Sequence, residues 1–128
     1  MSDVPVLKVK IQLFCGDEIA MGPGKADLLE AIVRERSISG AGRALGMSYR
    51  RAWLLVDAMN RCWREPLVAT TPGGAVKGGA RLTPAGEDIL RHYKRLVEQA
   101  AGVRGGQDWS ALQALMLASP RVHQKEDG

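Results

Sequence analysis

The sequence predicts a mainly α domain with a small β wing, and three observations predict it. Apolar residues follow a period of two near the N-terminus and a helical period from about residue 25 onward. A short and a longer helical stretch meet at Gly46, with little room for a loop. A glycine-rich basic segment then separates two short apolar runs ahead of a last, long helical stretch.

The elements follow in order. Leu7, Val9, Ile11 and Leu13 alternate with Lys8, Lys10 and Gln12, which predicts a strand with one buried face. Gly16-Asp17 reads as a turn, and Ile19-Ala20-Met21 is placed to pair back on that strand. Gly22-Pro23-Gly24 interrupts regular structure. From about Lys25, Leu28, Leu29, Ile32 and Val33 form one helical stripe that ends near Arg36. A second, shorter helix runs from Ser39, its expected N-cap, to Leu45, and Gly46 supplies the residue favoured after a helix end. Ser48 caps a third helix, whose Ala52, Leu55, Val56, Met59 and Trp63 fall within about 80° of one another on a helical wheel. It must end before Pro66, because a proline pushes its predecessor out of helical geometry.

Leu67 to Thr71 and Ala80 to Leu82 read as two short strands around Pro72-Gly73-Gly74-Ala75-Val76-Lys77-Gly78-Gly79. Thr83 suits an N-cap and Pro84 the first position of the last long helix. On it, Ile89, Tyr93, Leu96, Ala100 and Val103 are spaced four, three, four and three apart, the spacing of a heptad seam and of a dimerisation helix. Gly105-Gly106 follows, then one short amphipathic helix from Trp109 to Ala118 and a polar end. The expected organisation is a domain over residues 1–104 and a C-terminal tail over 105–128. Strand, helix, helix, glycine turn, helix, hairpin, helix is the layout of a winged helix-turn-helix domain with a long C-terminal dimerisation helix.

Composition limits the function. Hydrophobic residues at 45% and charged residues at 25% exclude a disordered chain. No apolar stretch approaches the ~20 residues of a membrane span, and the start lacks the pattern of a secretory signal. Two cysteines make no disulfide framework, so a cytoplasmic location with reduced thiols is expected. The net charge of +4 is unevenly spread: residues 43–104 carry eleven basic and five acidic side chains, and both flanks are slightly acidic. A basic middle suits an acidic partner, and a merely solvated basic surface is the alternative.

In detail, Ser37-Ile38-Ser39, Leu45 through Trp53 and Asp57-Ala58-Met59-Asn60 resemble the N-terminal domain of ModE-type molybdate-responsive transcription regulators. So do Leu67-Val68, Gly73-Gly74, Lys77 through Ala80 and Leu82 through Gly86. The resemblance covers roughly residues 7–103 and extends, less closely, to the N-terminal domains of LysR-type regulators. It implies sequence-specific binding of double-stranded DNA by a homodimer. ModE-type regulators carry two further small β-barrel modules that bind molybdate. This sequence looks like the DNA-binding half alone, so molybdate binding within the chain and a bound cofactor are not expected.

Arg50 and Arg51 stand in the first turn of the third helix, the turn that enters the major groove in helix-turn-helix domains. Arginine pairs with guanine O6 and N7 or grips phosphate, and the sequence leaves the two open. Ser48 is first a cap. Tyr49 is placed to reach a phosphate or a base edge, or to cover the core. Trp53 lies at the edge of the apolar face and reads as a boundary core residue. Leu54 points away from the core, where it could meet a thymine methyl. Ser39, at the start of the second helix, and Lys77 and Arg81, on or beside the glycine-rich loop, complete the candidate DNA-binding set. That loop lacks the Gly-x-x-x-x-Gly-Lys-Ser/Thr pattern of a nucleotide-binding loop. Cys15, Cys62, His92 and His123 have no metal-ligand spacing, and neither a nucleophile elbow nor a convincing carboxylate pair suggests an enzyme. The rival readings are a protein-interaction adaptor on the same scaffold and a small-molecule sensor with a pocket between dimer and wing.

Overall fold

A computed structural model describes residues 4–71 and 79–124. The order of elements is β1 (Leu13–Cys15), β2 (Glu18–Met21), α1 (Pro23–Glu35), α2 (Ile38–Ala44), α3 (Tyr49–Cys62), β3 (Val68–Thr70), β4 (Ala80–Leu82), α4 (Pro84–Ala101) and α5 (Gln107–Leu115), with a 3-10 turn over Gly102–Gly105 before α5. The contacts divide the chain into two units, Lys10–Val97 and Met1–Val9 with Glu98–Gly128.

In the larger unit, β1 and β2 form an antiparallel hairpin with Phe14 opposite Ile19 and Cys15 opposite Glu18. The turn between them has Gly16 at φ 59°. The predicted strand from Leu7 is therefore corrected: only Leu13–Cys15 is a strand. Its alternation survives as alternating exposure from Leu7 to Leu13. Alternation decides which face is buried, but a ladder also needs a partner, and β2 is only four residues long.

Helix α1 begins at Pro23, where a missing N–H costs nothing, so Gly22-Pro23-Gly24 starts the helix rather than separating it from the hairpin. It buries Ala26, Leu28, Leu29, Ala31 and Ile32, while Val33 stays exposed. Arg36 ends it in the left-handed conformation (φ 61°), donating its N–H to the Ile32 carbonyl. Ser37, not Ser39, caps α2: its hydroxyl accepts from the Gly40 N–H at 2.9 Å, which puts Ser39 inside the first turn. Between α2 and α3 the chain turns sharply, with Gly46 at φ 70° and the Met47 N–H bonded to the Gly42 carbonyl at 2.9 Å. A left-handed residue at that point is what lets the two helices cross closely, with buried Gly42 against the fully buried Ala52.

The end of α3 is anchored by side chains. The Asn60 side-chain oxygen accepts from the backbone N–H groups of Leu67 (2.8 Å) and Val68 (3.1 Å), and its amide donates to the Val68 carbonyl (3.1 Å). Trp63, just past the helix end, donates its indole N–H to the Ala20 carbonyl at 3.1 Å. These bonds tie α3 to β3 on one side and to β2 on the other. Strands β3 and β4 pair antiparallel, Val68 with Leu82 and Thr70 with Ala80. The strand pair is joined to the α1–α2 junction by the Ala80 N–H, which donates to the Arg36 carbonyl at 2.9 Å.

Thr83 caps α4 as expected, its hydroxyl accepting from the Gly86 N–H (3.0 Å) and donating to the Pro66 carbonyl (2.6 Å). Gly86 lies so close to the Leu67 carbonyl that a β-carbon there would overlap it. Gly86→Ala must therefore push α4 away from β3, and overpacking of this kind costs about 1–3 kcal/mol. Urea denaturation should show that loss with the slope unchanged, whereas equal stability would mean that the helix start yields without strain. In the smaller unit, Arg104 donates to the Leu7 carbonyl (2.9 Å) and Gln113 to the Pro5 carbonyl (3.2 Å).

Candidate nucleic-acid interface

The interface is built on the first turns of α3. Ser48 holds the helix start by accepting from the Arg51 N–H at 3.1 Å, which leaves its O–H donor exposed. The helix then presents Tyr49, Arg50, Arg51, Trp53 and Leu54 outward, all exposed. Arg50 and Arg51 make no ion pair with any described residue, so both guanidiniums keep their five donors available. Tyr49, Arg50, Trp53 and Leu54 line a shallow depression of about 360 Å³. Arg50 and Leu54 also border a second one, of about 340 Å³, shared with Lys25, Ser48 and Arg51 and closed on one side by Glu18.

Trp53 is corrected here. It is 45% exposed and belongs to the outward face, not to the rim of the core. Tyr49, left open by the sequence, is 58% exposed and does not cover the core. Lys25 was missed: it stands in the first turn of α1, and nothing in its local sequence says that α1 starts beside α3.

Arg61 belongs to a different role from the other α3 arginines. Its guanidinium bonds Asp57 at 2.9 Å, one turn back, and reaches Glu18 of β2 at 3.4 Å. The hydrogen bond and charge of Asp57 hold Arg61 more firmly in its charged form, with a smaller contribution from Glu18. Its charge is balanced by these two carboxylates, mainly by Asp57 of its own helix. Beside it, burial and the neighbouring Cys15 thiol push the Cys62 thiol up, so it remains a protonated, half-buried group. The hairpin thus brings Cys15 and Cys62 together, but among the described residues no three His, Cys, Asp or Glu side chains are placed to hold a metal ion.

Of the remaining candidates, Ser39 is half-buried in the first turn of α2, and Arg81 is exposed in the middle of β4, opposite Ala69. Lys77 lies outside the described residues. The heptad seam on α4 divides. Tyr93 is only 5% exposed and donates its hydroxyl to the Ile11 carbonyl at 2.8 Å, so it is corrected from a seam residue to a core residue. Burial also pushes its phenol up, so the hydroxyl stays a donor. Ile89 packs half-buried against the same core, whereas Leu96 and Val103 are exposed and Ala100 half-buried. The spacing hid this because the five positions share one stripe about 80° wide, and only the docking of the Ile11 segment on Tyr93 separates them.

Residues 25–87, from the first turn of α1 to the first turn of α4, match the bacterial regulatory helix-turn-helix proteins of the LysR family. The molybdenum-pterin-binding protein MopB of Rhodobacter capsulatus is 49% identical over 73 residues, covering 57% of this chain and 27% of that protein. The molybdenum transport protein ModE of Azotobacter vinelandii is 39% identical over 108 residues, covering 76% and 40%. The DNA-binding transcriptional dual regulator ModE of Escherichia coli K12 is 31% identical over 118 residues, covering 90% and 43%. The chain thus spans less than half the length of these relatives. Full-length LysG of Corynebacterium glutamicum with bound effector Arg superposes with a TM-score of 0.51 at 26% identity, over 75% of this chain and 30% of that one. The CbnR DNA-binding domain in complex with DNA superposes with a TM-score of 0.51 at 20% identity, over 70% and 95%, and shows the shared fold. No helix among the described residues is long and apolar enough to cross a membrane. Residues 25–87 thus match the bacterial regulatory helix-turn-helix domains of the LysR type, on a winged fold, in a chain similar to the ModE and Mop proteins.

Proposed function

We propose that this chain is a sequence-specific DNA-binding transcription regulator, a cytoplasmic homodimer linked to molybdenum metabolism, rather than an enzyme. The observation that carries this reading is the pair of unengaged arginines, Arg50 and Arg51, in the first turn of the second helix of a helix-turn-helix. The names of the ModE relatives support the link to molybdenum and to transcription. In this reading α3 enters the major groove, and Arg81 on β4, with Lys77, grips the adjacent backbone. DNA binding of this kind asks for no cofactor and no molybdate within the chain.

Base reading and phosphate gripping are separable. Arg50 sits nearly opposite the buried face of α3 and points into a groove, whereas Arg51 is turned toward its wall. Arg50→Ala is expected to cost roughly 1–3 kcal/mol on an operator selected from random duplexes and to relax preference at one base position. Arg81→Ala should weaken all duplexes alike and lower the salt slope by about one. Fluorescence anisotropy on selected and random DNA at two salt concentrations measures both. If Arg50→Ala loses equal affinity for both duplexes, α3 grips rather than reads.

A further inference from the structure

We infer that the start of α3 reads thymine methyl groups through Trp53 and Leu54, with Tyr49 flanking them, beside a base position read by Arg50. The inference rests on the DNA-binding reading and adds the bases that reading leaves unnamed. An isolated exposed leucine needs no explanation. Here three large apolar side chains, Tyr49, Trp53 and Leu54, are each 45–58% exposed on one outward face of a helix that also buries an apolar face of its own. Together with Arg50 they enclose the shallow depression of about 360 Å³, which has an apolar floor and a single charged edge.

On the second half of the same outward face, Asp57 and Arg61 are bonded to each other at 2.9 Å and so offset each other's charge. Asp57, of the type that accepts from a cytosine amino group, already holds Arg61 on one of its oxygens. What the helix start offers a groove is therefore the guanidiniums of Arg50 and Arg51 and a mostly apolar surface, and basic Lys25 borders the adjoining depression with both.

The major-groove edges of the four base pairs carry donors and acceptors, and the bulkiest apolar group among them is the thymine 5-methyl. An apolar side chain laid over a guanine, adenine or cytosine edge strips water from a polar atom and returns no hydrogen bond, which is unfavourable. Over a thymine methyl the same side chain buries carbon against carbon. Phosphate contacts call for cations or N–H and O–H donors, so they do not explain Leu54 or the carbon faces of Trp53 and Tyr49. Trp53 and Leu54 thus favour thymine both by attraction and by penalising the other bases at those positions.

The test uses the full chain and a duplex selected by it from a random library. Each thymine is replaced in turn by deoxyuridine, which removes the methyl and leaves the pairing edge intact. At one or two positions, affinity is expected to fall about fourfold, the worth of one buried carbon. Leu54→Ala, at an exposed position, should bind the thymine and deoxyuridine duplexes equally at one of those positions, and Trp53→Ala at the other. Arg50→Ala should keep the discrimination. Sequence-specific binding that is unchanged, within twofold, when every thymine is replaced overturns the methyl reading while leaving DNA binding intact. Methyl dependence that survives in both Leu54→Ala and Trp53→Ala overturns the assignment to these residues. A chain that binds no duplex overturns the DNA-binding reading itself, and this inference with it.

Discussion

Between 50 and 200 mM salt, affinity for a random DNA duplex is expected to fall ~10³–10⁵-fold, the response of a protein that neutralises on the order of 6–10 phosphates. The size follows from which cations are available. Lys25, Arg50 and Arg51 border one depression, and Arg81 stands exposed on β4. In the proposed dimer, two copies of that set together with two copies of Lys77 reach the required range. Arg61 is not counted, because Asp57 and Glu18 engage it, and Arg91 is paired with Asp88 at 2.8 Å. Lys94 is paired with Glu30. Each phosphate neutralised releases condensed counterion, so the logarithm of affinity should fall linearly with the logarithm of salt. Anisotropy titrations at four or five salt concentrations give the slope directly. A flat response would remove the phosphate-gripping role from the basic middle of the chain.

Leu96→Asp is expected to convert the proposed dimer to a monomer without unfolding it. Leu96 is 40% exposed on α4, while Tyr93, one turn earlier, is spent on the protomer's own core. Of the heptad positions within the larger unit, Leu96 alone projects its apolar side chain away from that core. A carboxylate buried there against a second copy would have no partner, and an unpaired buried charge is costly enough to abolish association. In the free protomer the position is exposed, so the fold should tolerate the change. Sedimentation velocity should report the monomer mass and circular dichroism an unchanged helical spectrum. DNA affinity should fall as well, because two linked half-sites become two independent ones. A dimer that survives intact would move the interface off this face of α4.

The sequence by itself determined the order of elements, because those signals are local. Helical spacing marked α1, α3 and α4, Gly46 marked the turn, and Thr83-Pro84 marked the start of α4, each through contacts within a few residues. Arg50 and Arg51 were legible for the same reason: their position in the first turn of a capped helix is a fact about four consecutive residues. Only the tertiary structure decided what depends on residues far apart in the chain. It ended the first strand's ladder where β2 ended, and it moved Tyr93 from the seam into the core through a bond to Ile11. It tied Arg61 to Glu18 and Asn60 to β3. It placed Lys25 beside Arg50, and it left Trp53 exposed on a face whose composition suggested an edge of the core. The physical reason is common to these cases. Periodicity states which side of an element is apolar, but whether an apolar or charged side chain at the edge of that side is covered depends on where the next element docks.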